Sequence, residues 1–149
     1  MRVSLMFLIM AALAACAPQD VGTVSNRARF TEYPEGLFAA FETACSGPAQ
    51  SFSRLERGLI ECREYLPPEP TAAIILGYDG TPEKLPQLVI RFQTTEERTD
   101  TDQPGYVVVN DMYLNVPQKT GPDLKVRQRD DRLMRMLSDL YRRAGGVPG

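Results

Sequence analysis

The side chains able to do chemistry in this 149-residue chain are three cysteines, Cys16, Cys45 and Cys62, and a scatter of carboxylates and arginines. Histidine and tryptophan are absent. Without histidine there is no Ser-His-Asp or Cys-His nucleophile and no His-ligated zinc. Paired carboxylates remain open to glycosidase-type chemistry, which needs two of them about 5–9.5 Å apart. Glu61 and Glu64 are the candidates for such an acid or base. Nothing else forms a catalytic constellation, so no catalytic residue, metal ligand or cofactor is expected.

Charge narrows the partners. Lys and Arg number 17 against 19 Asp and Glu, a formal net charge of −2, so no global field favours nucleic acid or an anionic membrane. Asp100 and Asp102, with Gly105 in the sixth place and Asp111 in the twelfth, faintly resemble an EF-hand calcium loop. Pro104 stands where a ligand belongs, and aspartate replaces the bidentate glutamate. A solvated hairpin loop is therefore expected there. Arg132, Arg135, Arg142 and Arg143 could form a basic face for phosphates, but Asp130, Asp131 and Asp139 interleave with them. Glu61, Arg63 and Glu64, with Arg91, are expected to line a wet sheet face.

The amino end carries the most specific pattern. Arg2 supplies a positive charge, residues 3–12 are almost wholly apolar, and Leu13-Ala14-Ala15-Cys16 closes the run. The apolar stretch is too short for the roughly 20 residues that span a bilayer and has the layout of a signal peptide. Leu13-Ala14-Ala15-Cys16 resembles the lipobox of bacterial lipoproteins. That resemblance implies cleavage after residue 15 and acylation of Cys16. Ordinary cleavage at Ala12-Leu13-Ala14 or Ala15-Cys16-Ala17 is the competing reading. Two or more acyl chains give near-permanent attachment, about 0.8 kcal/mol per buried methylene. Ala17 stands where Gram-negative lipoproteins retained at the inner membrane carry aspartate, which favours the outer membrane.

Export also sets the redox environment. In an oxidising periplasm an even pair of cysteines in a small domain reads as a disulfide, here Cys45 with Cys62. Their spacing does not resemble the Cys-x-x-Cys arrangement of redox-active thiols. Residues 16–32 are expected to be the lipidated cysteine and a polar tether, with an average reach on the order of 20–25 Å, and docking of Val21, Val24 and Phe30 on the fold is left open.

The remaining residues, 33–149, read as one α+β domain. Pro34 and Glu35 open a helix with Leu37, Phe38, Phe41 and Cys45 on one face, stopped by Gly47-Pro48. Residues 51–57 read as irregular. Strands are expected at 59–65, 71–78, 87–95 and 106–116, with Pro67 to Pro70 as a break and a β-bulge near Asn110-Asp111. A C-terminal helix follows, with Leu133, Leu137, Leu140 and Ala144 as its stripe and Gly145-Gly146 as its stop. The order predicts a two-layer sandwich: an antiparallel sheet of about four strands with the N-terminal and C-terminal helices on one face. The expected function is a lipid-anchored, non-enzymatic structural, adaptor or binding module of the periplasm. An envelope protein is its expected partner, with no nucleic acid and no small-molecule cofactor. A carboxylate-dependent cell-wall glycan hydrolase is the alternative.

Overall fold

The structure, a computed structural model, describes residues 26–98, 104–127 and 131–149. The leader, Cys16, most of the tether and the loop residues Asp100 and Asp102 lie outside the described residues. What is described is α+β: β1 (Arg27–Phe30), α1 (Glu35–Ala44), β2 (Gln50–Glu56), β3 (Leu59–Tyr65), α2 (Pro68–Gly77), β4 (Gln87–Arg98), β5 (Pro104–Val116), β6 (Leu124–Val126), α3 (Asp131–Arg143) and β7 (Val147–Pro148). The strands form one sheet in the order β2-β3-β4-β5-β1-β7, all neighbours antiparallel, with β6 also paired to β5.

The sheet exceeds the four expected strands, and three corrections account for most of the difference. The end of the expected tether is β1, inserted beside β5 with Ala28 opposite Val108 and Phe30 opposite Tyr106. Ala28 and Phe30 are buried while Arg29 points to water, a period of two that four residues barely reveal. The segment read as irregular is the edge strand β2, paired to β3 through the turn at Gly58, whose φ of 81° suits a residue without Cβ. It has a single large apolar residue turned to the core, Phe52.

The third correction is α2, which stands where a strand was expected. Pro67 and Pro68, read as a break, lie at its start, where a missing N–H costs nothing, and the Thr71 hydroxyl donates to the Leu66 carbonyl at 3.1 Å. The run Ala-Ala-Ile-Ile-Leu has no polar residue to mark a period, so its pattern fits a strand or a helix equally. Strand β5 carries no bulge. Its register with β4 is unbroken from Gln87 opposite Asn115 to Arg98 opposite Pro104. Tyr106, Val108, Asn110, Met112 and Val116 share the inner face. Val107 and Tyr113 are buried on the outer one, at 4% and 2% exposure. A central strand buried on both sides needs no irregularity to hide its apolar residues.

The core lies on the inner face. Leu37, Phe38 and Phe41 of α1 and Leu137 and Tyr141 of α3 pack on Ile60, Phe92 and Val108. The aromatic rings meet edge to face, Phe41 with Phe92 at 4.8 Å between centroids and Phe92 with Tyr141 at 6.1 Å. Cys45 caps α1, and its sulfur lies at disulfide distance from that of Cys62 in β3, with 5.9 Å between the Cα atoms. The pair joins the end of the helix to the sheet beneath it. At the other end of the chain, Gly145 (φ 85°) closes α3 and lets the Gly146 N–H donate to the Tyr141 carbonyl at 2.8 Å.

Candidate functional site

Two features of this frame can meet another molecule: an apolar groove on the inner face and a charged cluster on the outer one. The groove exists because α1 and α3 leave part of the inner face bare between them. Its floor is Ile90, Phe92, Asn110 and Met112, all inward-pointing by the alternation of β4 and β5. Phe41 and Ala44 form the α1 wall; Leu133, Met136, Leu137 and Leu140 form the α3 wall. Its volume is about 500 Å³. Met136 stands 60% exposed at the rim. Among the described residues, the only charges in the lining are Asp139 and Arg143. Asp139 accepts from Arg142 at 2.6 Å rather than from Arg143, the partner its spacing suggests.

The outer face is built around Glu61. Its carboxylate is 2% exposed and takes Arg91 Nε at 2.8 Å on one oxygen and Arg63 Nε on the other. The Arg91–Glu61 hydrogen bond raises the Arg91 pKa against the desolvation that opposes it. Beside this pair, Tyr113 is overlaid by three cations: Lys125 Nζ 4.9 Å from its ring centroid, Arg127 at 5.5 Å and Arg91 at 5.8 Å. Burial pushes the Tyr113 phenol upward. Arg127 in turn grips Asp111 through two hydrogen bonds, 2.9 and 2.8 Å, and holds its carboxyl below the ordinary range.

These positions decide several expectations. Glu61 and Glu64 fall on opposite faces of β3; Glu64 accepts from Gln50 Nε2 at 3.0 Å on the inner side. They do not share a cleft. Glu61 and Arg63 do lie on the outer face with Arg91, but as an interlocked ionic group rather than a loosely solvated one. Asp111, the last position of the calcium-loop pattern, lies inside β5 and is bound by Arg127. Among the described residues no three His, Cys, Asp or Glu side chains are placed to hold a metal ion. No described helix is long and apolar enough to cross a membrane.

No functional role was expected of Asn110, Met112, Tyr113, Lys125 or Arg127. The signal for the first three is the plain alternation of residues 106–116, which the expected bulge near Asn110-Asp111 would have broken. A second concavity, about 480 Å³, lies beneath the β2–β3 turn. Two of its lining residues, Arg54 and Glu35, pair at 3.4 Å.

No protein-family model matches the sequence, no curated protein matches it, and no solved structure matches it.

Proposed function

We propose that the chain is an exported bacterial lipoprotein, held to the periplasmic face of a membrane through acylated Cys16. In this reading the membrane is the outer one, and the domain is a non-enzymatic binding module of the cell envelope. The observation that supports export is the placement of Cys45 and Cys62 at disulfide distance, a pair that an oxidising compartment would close. The sequence Leu13-Ala14-Ala15-Cys16 supports the anchor. The open apolar groove supports a binding role, since a cavity of that size with few polar groups is the usual form of a ligand seat. The glycan-hydrolase alternative draws no support from Glu61 and Glu64, which face opposite ways.

Metabolic labelling with a palmitate analogue, on wild type and Cys16→Ala, tests the anchor. Label on the wild type alone, in the outer-membrane fraction, is the expected result. An unlabelled wild type that stays in the cytosol with its leader uncut would sink the reading.

A further inference from the structure

We propose that the groove between α1 and α3 binds one long-chain fatty carboxylate, with its alkyl chain along the groove and its head at Arg143. This rests on the proposed export, which removes the apolar residues 3–12 from the mature chain. Size comes first. From Leu133 to Arg143 α3 rises about 15 Å, at 1.5 Å per residue. The groove's volume of about 500 Å³ lies along that length, open on one side. A single alkyl chain fits inside.

The lining has the matching chemistry. Met112, Met134 and Met136 bring three unbranched thioethers to one groove, and such side chains adjust to a flexible apolar guest at little cost. Ile90, Phe92 and Leu140 supply the fixed part of the wall. Charge selects the head. Asp139 is neutralised by Arg142, while Arg143, on the last turn of α3, has no ion-pair partner among the described residues. A carboxylate can take a guanidinium in two hydrogen bonds at once.

The competing occupant is the chain's own amino-terminal segment. The fold is entered beside the groove: the Asn26 carbonyl accepts from the Tyr141 hydroxyl at 3.1 Å, and the Asn26 side-chain amide donates to the backbone of Asn110, a floor residue. Residues 17–25, however, hold only Val21 and Val24 as large apolar side chains. Two valines, set among Gln19, Asp20, Thr23 and Ser25, supply too little apolar surface to fill about 500 Å³.

The test uses the mature chain from Cys16 onward, reconstituted in phosphatidylcholine vesicles and irradiated with a diazirine analogue of palmitate; adducts are mapped by mass spectrometry. Adducts concentrated on peptides carrying Met112, Met134 and Leu140 are expected. Met136→Glu, at an exposed rim position, should lower them about tenfold, and Arg143→Glu should do the same. Met136→Glu should keep the wild-type melting temperature, and Arg143→Glu, which puts a carboxylate at the negative end of α3, should lower it only slightly. A probe with the same chain and a trimethylammonium head should label the wild type weakly. The proposal is overturned by adducts scattered over other surfaces, by variants that label like wild type, or by equal labelling with the cationic head. It is also overturned if the groove labels only in a chain lacking residues 17–25, which would assign it to that segment.

Discussion

Glu61 sits directly opposite Arg91 in the β3–β4 register, its Oε2 2.8 Å from Arg91 Nε, on a carboxylate that is 2% exposed. The pair is a lock rather than a surface ornament, because Arg63 closes the other oxygen. Removing one member of a buried ionic group leaves the others without a counter-charge. Glu61→Ala should lower stability by roughly 2–3 kcal/mol, below the ~3–5 of fully buried pairs, because both guanidiniums keep partial contact with water. Urea unfolding at neutral pH measures it; a loss under ~0.5 kcal/mol would mean that solvent already screens the group.

The Asp111–Arg127 pair should show in the acid limb of stability. Arg127 lowers the Asp111 pKa, so the unfolded state takes up its proton first. The contribution is then complete above the ordinary carboxylate value, near pH 4, and is lost as pH falls through the lower folded value. Melting temperature followed from pH 6 to pH 2 should fall less steeply below about pH 4 in Asp111→Asn than in wild type. Parallel curves would show that the two hydrogen bonds do not persist in solution.

Closing the loop between Cys45 and Cys62, 17 residues apart, should stabilise by about 3 kcal/mol in the chain-entropy account. Reduction with dithiothreitol should shift the urea midpoint down accordingly. The mass of the untreated protein checks the bond directly: alkylation without reductant should leave both residues unmodified. Alkylation of both in protein taken from its natural compartment would contradict the bridge.

Tyr141 is wholly buried, and its hydroxyl donates to the Asn26 carbonyl. Burial raises its pKa well above the usual value near 10. Stability is therefore intact below pH 10 and lost above it, as unfolded tyrosine ionises and the folded one does not. Tyr141→Phe should cost about 1 kcal/mol at pH 7 and flatten the fall between about pH 10 and pH 12. An unchanged alkaline limb would assign that fall to other tyrosines.

Much of this fold is legible in the chain, and the gaps share a physical cause. The strong periodicities of α1, α3, β3 and β4 survive into the structure because each has one clear apolar face. The bridge geometry follows from two of them, with Cys62 turned inward beneath the end of α1. The elements that escape are those whose state is set by distant partners. β1 is four residues long and is held by a distant β5, and the Asn26–Asn110 bond just before it spans 84 positions. β2 is ordered chiefly by its pairing to β3, and α2 by a proline-capped start that resembles a break.

The candidate sites are harder still. Glu61 and Arg91 are 30 residues apart, and only the β3–β4 register makes them neighbours. The groove is a gap between two helices, and no local pattern encodes a gap. Its methionines belong to different elements, Met112 to β5 and Met134 and Met136 to α3.

Strand β2 ends the sheet on one side, with β3 as its only neighbour in the strand order. Seven residues of backbone thus present donors and acceptors to whatever extended chain comes alongside, and Leu55 is 53% exposed among them. Arg54, tied back to Glu35 and Glu42 of α1, and Glu56 at the strand's end place charge along this rim, a feature that opposes edge-to-edge pairing. Stripping those charges should favour association through β2, read as light scattering that rises with concentration.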